Sequence, residues 1–177
     1  APSQIATMAL AAMDDFLLSN DPIAALASAP GPAPRGIVRL SGERVQPLLS
    51  DLFCPDEATA WTSPRGAARH SGAMNIPGLH LPLRVDVLLW PTQRSYTGQS
   101  LAEIHTIGSP PLLEVILSAL FDRGVRPAQR GEFTLRAFLA GRIDLLQAEA
   151  VLGVIDASDQ QQLSAALGQL GGGLSSR

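Results

Sequence analysis

The chain has 177 residues, of which 46% are hydrophobic and only 16% charged, and its net charge at pH 7 is −3. This length and composition supply a core for one domain plus a piece of a second. The acidic balance argues against a stand-alone nucleic-acid binder, which needs a basic face for phosphates. All 13 basic residues are Arg, and we attribute the absence of Lys to the base composition of the genome.

The few cysteine and histidine residues indicate neither a disulfide framework nor a metal site. Cys54 is the only cysteine, which suits a reducing compartment. The histidines show no metal-ligand spacing, so we interpret each as a hydrogen-bonded structural side chain: His70, His80 and His105. No apolar run is long enough to span a bilayer, and the chain start lacks the basic region of a signal peptide. The sequence therefore favours a cytoplasmic protein.

The first third of the chain predicts two helices and two strands. In chain order these are an N-terminal extension over 1–21 with a helix over 3–19, strands over 22–29 and 35–42, and a helix over 43–53. The second strand is predicted to be an edge or half-buried one, because Ile37 and Val38 alternate with Arg39. The prolines and glycines around it, as in "PGPAP" (30–34), cannot sit in a central strand. The helix is expected to begin near Arg44, because Pro47 is best tolerated in a first turn.

Strands dominate the middle of the chain. Strand patterns cover 68–76, 81–91 and 101–107, and loops are predicted over 54–66 and 95–100. In the last strand, strict alternation places one set of side chains on a common face: Leu101, Glu103, His105 and Ile107. A helix follows over 109–124, with Ser109 as its cap, Pro110 at its first position and Gly124 at its end.

The last part of the chain predicts two helices separated by a break. After a short extended segment, "VRPAQ", a helix is predicted over 132–140, with Glu132 in its first turn and Gly141 as the residue that ends it. Asp144 and Gln147 have the spacing of a capping box for one long C-terminal helix. The irregular alternation of elements favours an α+β fold with a small mixed or antiparallel sheet and packed helices.

Three charged residues stand out in this charge-poor chain. Glu103 lies in an otherwise apolar strand, where an unpaired carboxylate is costly, Arg39 lies in a similar strand, and Arg142 follows the helix break. A purely structural interpretation pairs Glu103 with Arg39 or another arginine and leaves Arg142 in solvent near a helix C-terminus. No phosphate-binding loop is present.

Several motifs carry a resemblance to a known family. "GEFTLRAFLAGRIDLLQAEA" (131–150) matches a signature close to Pro-Gly-Glu-Phe-Thr-x-Arg-Ala-Phe-Leu-Asn-Gly-Lys-x-Asp-Leu-x-Gln-Ala-Glu-Ala. "IVRLSG" is similar to an early strand of the family, and "SYTGQSLAEIHTIGSP" to its Ser-Tyr-Thr-Gly-Glu-Asp segment. On these motifs the chain resembles the N-terminal region of the bacterial tRNA modification GTPases called MnmE or TrmE.

The resemblance implies a fold, a ligand and a set of site residues. Residues 22–142 would form a tetrahydrofolate-binding domain like that of glycine-cleavage aminomethyltransferase, and 143–177 the start of a helical domain. The folate-contacting positions of the family fall on Arg39, Glu103 and Arg142, with Thr97 and Gly98 shaping a loop wall. The ligand would be formyl- or methylene-tetrahydrofolate, and Glu103→Ala is expected to abolish its binding. No metal or GTP site is expected, and no GTPase activity by itself, because the G domain is absent.

The resemblance also implies partners: a second copy of the chain, the FAD-dependent enzyme MnmG (GidA), and tRNAs modified at the wobble uridine. Four segments depart from the family pattern: "GPAPRG", "TGQS", "TIGSP" with Ile107 in place of a histidine, and "QRG" before Glu132. These departures keep a second hypothesis open, a dimerising scaffold that does not bind folate. A third, ranked last, is an aminomethyltransferase-like one-carbon enzyme.

Overall fold

The computed structural model describes residues 20–172, so the helix predicted over residues 3–19 lies outside the described part. The chain divides into two compact units. The first runs to Ser95 and continues over Gln99–Ala128, and the second combines Tyr96–Gly98 with the chain from Gln129 onward. The predicted domain boundary after residue 142 stays a prediction.

The first unit is built on a seven-stranded sheet with the order β3-β4-β5-β6-β2-β1-β7. Its strands are β1 Ile23–Leu26, β2 Ala33–Ser41, β3 Phe53–Pro55, β4 Ala68–Met74, β5 Leu83–Trp90, β6 Leu101–Gly108 and β7 Arg126–Pro127. All neighbouring strands are antiparallel except β1 and β7, which are parallel. The mixed sheet with packed helices confirms the predicted α+β fold.

The helices of the first unit are α1 Val45–Ser50, α2 Ala58–Thr62 and α3 Pro110–Phe121. Alternating side chains of the central strands point into one core with α1 and α3: Val38, Leu40, Val87, Ile104, Leu49, Ile116 and Leu120, all 0% exposed. Gly36 is part of this packing, because a Cβ there would lie 2.7 Å from Leu113 Cδ1 of α3. The opposite face of the sheet is left for polar side chains.

Two predictions in the first unit need correction. The strand predicted to be an edge or half-buried one is β2. It lies inside the sheet between β6 and β1, so the edge alternative is wrong, whereas its alternating burial confirms the half-buried alternative. It also includes Pro34, because the register shifts between Ala33 and Gly36 and this irregularity removes the need for a proline N–H in the ladder.

The prediction of a loop over 54–66 is also wrong in part, because this range contains the end of β3 and the short helix α2. Trp61 is 3% exposed and its ring packs edge-on against Phe53 and His70, with centroids 5.0 and 5.1 Å away. Its Nε1 donates to Ser50 Oγ at 2.9 Å. Burial of this single large side chain orders a segment whose local pattern shows no helix.

The second unit contains α4 Glu132–Leu139, α5 Leu145–Asp156 and α6 Gln160–Gly172. As predicted, Gly141 ends α4 with φ +65°. The N–H groups of Gly141 and Arg142 donate to the carbonyls of Phe138 and Ala137, both at 2.9 Å, in a Schellman arrangement. The predicted capping box at Asp144 and Gln147 is confirmed in both of its hydrogen bonds.

The prediction of one long C-terminal helix is wrong, because the structure has two helices, α5 and α6, separated by residues 157–159. Ala157 is extended (ψ 120°), and Asp159 Oδ1 accepts the N–H of Gln162 at 2.8 Å, which caps a new helix. The two helices approach at small side chains, since a Cβ on Gly153 would lie 3.2 Å from Ala166 Cβ. This close approach explains a glycine in a helix interior, where it otherwise costs about 1 kcal/mol.

Candidate functional site

A polar row crosses the face of the sheet opposite to the core. Side chains alternate along each strand, and the register aligns Arg39 of β2 with Glu103 of β6, and His105 of β6 with Asp86 of β5. Asp86 is in turn opposite Ser71 of β4. Four neighbouring strands therefore place titratable or hydroxyl groups side by side on one surface.

The centre of this row is a triad of Arg39, Glu103 and His105. Arg39 donates from Nε and Nη2 to Glu103 Oε1, at 2.9 and 2.7 Å. His105 Nε2 lies 3.0 Å from the other oxygen, Oε2. The Glu103 side chain keeps 14% of its surface exposed. A carboxylate has about four lone-pair positions, and three are used by these hydrogen bonds, so Glu103 retains one acceptor position, on Oε2, for a ligand.

The environment keeps Glu103 ionised. Burial raises the pKa of Glu103, but hydrogen bonds from Arg39 and then His105, together with their charges, outweigh it, and the net pKa lies below the ordinary 4.5. Because the folded pKa is lowered, the stabilisation is present above about pH 4.5 and is lost as the pH falls through the folded pKa. At neutral pH the triad therefore presents an anionic acceptor held between cationic and imidazole donors.

A second polar cluster lies on the next strands. Ser71 Oγ donates to Asp86 Oδ1 at 2.6 Å, and Arg69 Nη2 contacts both Asp86 oxygens at 3.0 Å. The hydrogen bond from Ser71, followed by that from Arg69, lowers the pKa of Asp86 against the opposing effect of burial. Arg84 forms a two-pronged pair with Asp56, at 2.8 and 2.7 Å.

A cleft of about 410 Å³ opens between these clusters. Its lining residues come from the ends of β2, β4, β5 and β6: Pro34, Arg35, Arg69, Ser71, Arg84, Val85, Asp86, His105, Thr106 and Ile107. His105 belongs to both the cleft and the triad. The cleft and the triad thus form one continuous polar site within the first unit.

The other predicted site residues lie in the second unit. Thr97 is fully buried, Gly98 has φ +73°, and Arg142 is exposed. A Cβ on Gly98 would lie 2.4 Å from Ala140 Cβ and 3.7 Å from Arg142 Cγ. The structure therefore brings Arg39 to Glu103 in the first unit, and Gly98 to Arg142 in the second.

Sequence reasoning missed three members of the site, Arg69, Ser71 and Asp86, and took His105 as structural. The alternation of β6 already placed His105 on the face of Glu103, and that signal was sufficient to include it. For Arg69, Ser71 and Asp86 no local signal exists, because their proximity depends on the pairing of β4 with β5 and of β5 with β6.

The interpretation of His70 as a hydrogen-bonded side chain is wrong for its Nε2. This atom is buried and has no hydrogen-bond partner among the residues that the structure describes. The ring packs against Trp61, and burial lowers its pKa against the opposing effect of the charge of Glu57. The neutral form of the imidazole tolerates this position, because the desolvation cost falls mainly on the charged form.

Residues 20–172 contain neither a metal-binding cluster nor a membrane-spanning helix. No group of three or more His, Cys, Asp or Glu side chains in this range is arranged to hold a metal ion. Over the same range, no helix has the length and apolar character that crossing a membrane requires.

Comparison with known proteins adds family information. The profile of the family described as "GTP-binding protein TrmE N-terminus" matches residues 22–142. The chain is 52% identical over 157 residues to the tRNA modification GTPase MnmE of Rhodopirellula baltica, covering 89% of this chain and 33% of that protein. It is 40% identical over 159 residues to MnmE of Thermus thermophilus, covering 89% and 36%. The chain spans about a third of the length of these relatives.

Proposed function

This chain belongs to the family of the GTP-binding protein TrmE N-terminus, and from that premise we propose that it is the tetrahydrofolate-binding and dimerisation domain of a tRNA modification GTPase. The ligand is a formyl- or methylene-tetrahydrofolate. Within the whole protein, the domain serves wobble-uridine modification of tRNA in the cytoplasm, together with the FAD-dependent partner MnmG. The GTPase activity belongs to parts of the protein outside this chain.

The observation that carries the proposal is the Arg39–Glu103–His105 triad beside an open cleft. A pterin ring presents an amino group and a ring N–H side by side, and the ionised carboxylate of Glu103 accepts one of these N–H groups at the position that Arg39 and His105 leave open. Arg39 and His105 hold the Glu103 carboxylate in place, so little side-chain entropy is lost when the ring binds. On the resemblance alone, Arg142, which follows α4, is proposed as a second cation for ligand oxygens, and Thr97 and Gly98 as the loop wall beside it.

The departures in the proline-rich loop do not fill this site. Pro34 lies on the wall of the cleft, and the volume of about 410 Å³ remains open beside it. Ile107 is 65% exposed and adds an apolar surface where the resemblance leads us to expect a histidine. These features favour folate binding over the scaffold hypothesis.

Titration calorimetry with 5-formyltetrahydrofolate tests the proposal. We expect the wild type to bind, and Glu103→Ala to weaken the affinity about a hundredfold, because hydrogen bonds to a charged group contribute about 1.5–3 kcal/mol each. Glu103→Gln tests the charge, since it keeps the shape but offers an amide to the ring N–H. Glu114→Gln, on the exposed side of α3, is the matched control and is expected to bind like the wild type.

Absence of binding by the wild type at millimolar ligand would reject the folate proposal and leave the scaffold hypothesis. Equal affinities for the wild type and Glu103→Ala would show that the ligand binds elsewhere. Circular dichroism of each variant separates a loss of affinity from a loss of fold.

Dimerisation has its own measurement. We expect light scattering at high micromolar concentration to give twice the monomer mass with or without folate, because the resemblance assigns the dimer contact to the domain itself. A monomer across this concentration range, in both conditions, would contradict the dimer and leave the folate proposal standing.

A further inference from the structure

The cleft next to the triad is more basic than the rest of the charge-poor chain. Three arginines line it, Arg35, Arg69 and Arg84, against one lining carboxylate, Asp86. We propose that this cleft is a subsite for the glutamate tail of the folate and discriminates in favour of the γ-linked polyglutamate forms. The inference rests on the proposed folate-binding function and deepens it.

Arg35 is the residue that carries the inference. It is exposed, and it makes no hydrogen bond or ion pair with any residue between 20 and 172. It lines the cleft together with Asp86, and after the hydrogen bonds from Ser71 and Arg69 its positive charge also favours a lowered pKa of Asp86. A guanidinium without a fixed partner at the wall of a polar cleft is suited to bind a carboxylate in a two-pronged geometry.

Arg69 and Arg84 differ in how readily they can take a new anion. Arg69 donates to both oxygens of Asp86, which also accepts a hydrogen bond from Ser71. Arg69 is therefore already paired and less available to a carboxylate of the ligand. Arg84 and its partner Asp56 have side chains 65% and 50% exposed. Water screens such exposed pairs and they add little to stability, so a carboxylate of the ligand can share Arg84 at little cost. Arg35 and Arg84 are therefore the two cations available to the tail.

The spacing along β6 relates this subsite to the triad. Glu103, His105 and Ile107 lie on one face at two-residue steps, which places Ile107 about 13 Å from Glu103 along the strand. Between a pterin at Glu103 and carboxylates at the arginines lies the p-aminobenzoyl group, a flat apolar ring. Ile107 is exposed on the wall of the cleft and supplies an apolar contact for that ring beside the arginines.

The experiment compares three ligands that share a pterin: 5-formyltetrahydropteroate, which has no glutamate, 5-formyltetrahydrofolate, and its pentaglutamate. Each is titrated into the wild type, Arg35→Ala, Arg84→Ala and the control Arg65→Ala, an exposed arginine that does not line the cleft. We expect the wild type to bind the pentaglutamate about tenfold more tightly than the pteroate. Arg35→Ala should remove about that factor for the glutamylated ligands and leave pteroate binding unchanged.

The outcomes separate the subsite from the folate site. Equal affinity of the wild type for all three ligands, with no effect of Arg35→Ala, would overturn the subsite while folate binding stands. An equal loss for all three ligands in Arg35→Ala would also overturn it, since Arg35 would then act on the pterin or on the fold. Failure of every ligand, pteroate included, to bind the wild type would overturn both proposals. Loss of the glutamate preference in Arg35→Ala but not in Arg65→Ala would support the subsite.

Discussion

Replacing Glu132 by alanine is expected to lower the free energy of unfolding by about 3–5 kcal/mol. Glu132 and Arg136 form an ion pair within α4, with Arg136 Nη2 3.0 Å from Glu132 Oε1 and with only 3% and 7% of the residues exposed. The second oxygen of Glu132 accepts the N–H of Gln129 at 2.7 Å. The substitution therefore leaves a buried guanidinium without this carboxylate and a backbone donor without its acceptor, and breaking a buried pair on one side carries this cost.

Chemical denaturation followed by circular dichroism measures this effect. The matched control is Glu149→Ala, because Glu149 is an exposed glutamate on α5 of the same unit, and it is expected to change stability by less than about 0.5 kcal/mol. The double variant Glu132→Leu with Arg136→Met should recover much of the loss, because an apolar pair of similar volume avoids burying an uncompensated charge. A loss below about 1 kcal/mol in Glu132→Ala would contradict a buried, structurally required pair.

Gly98→Ala is expected to destabilise the chain by about 3–4 kcal/mol. Two separate penalties add. The φ of +73° costs an L-residue about 1–2 kcal/mol, and a Cβ would lie 2.4 Å from Ala140 Cβ, an overlap that a methyl group cannot relieve by rotation. Overpacking of this kind costs about 1–3 kcal/mol.

Gly141→Ala is the control that measures the cost of the positive φ without the steric clash. Gly141 has φ +65°, and nothing lies within 4 Å of a Cβ built there, so this variant should lose only about 1–2 kcal/mol. The double variant Gly98→Ala with Ala140→Gly should remove the steric part of the Gly98→Ala effect and leave the φ penalty. Equal losses for Gly98→Ala and Gly141→Ala would show that the chain shifts away from Ala140 without cost.

Gly98 also connects stability to the proposed site. The position is close to Arg142, whose Cγ lies 3.7 Å from a Cβ on Gly98. Relief of the clash with Ala140 would move the end of α4, from which Arg142 follows through the Schellman turn. Folate affinity measured on Gly98→Ala therefore reports whether the position of Arg142 matters for the ligand.

The elements that the sequence predicted best are those fixed within a few residues. The end of α4 at Gly141 and the capping box at Asp144 and Gln147 are local hydrogen-bond patterns, and both are confirmed. The break between α5 and α6 belongs to the same class, because Asp159 and Gln162 repeat the spacing of Asp144 and Gln147. The sequence contained that signal, and the prediction of one long helix overlooked it.

Burial was harder to predict. Glu132 was interpreted as a helix-start residue that favours the dipole, and it does lie in the first turn of α4. Its burial with Arg136 has no sequence signal, since a Glu and an Arg four residues apart are equally typical of a solvated helix face. In the same way, the sequence predicted a loop where the structure has α2, because the packing of Trp61 against Phe53 and His70 has no local signal.

The sequence by itself determined the α+β class, most element bounds from Arg44 to Gly141, the family resemblance, and the charged residues Arg39 and Glu103. Only the tertiary structure decided that β2 lies inside the sheet, that Arg39 and Glu103 face each other, and that Asp86, Arg69 and Ser71 join them across β4 and β5. The physical reason is that caps and alternation depend on residues within one turn or one strand. Strand neighbours, and hence the polar face and its cleft, depend on pairings between distant residues, such as Arg39 and Glu103, which are 64 positions apart.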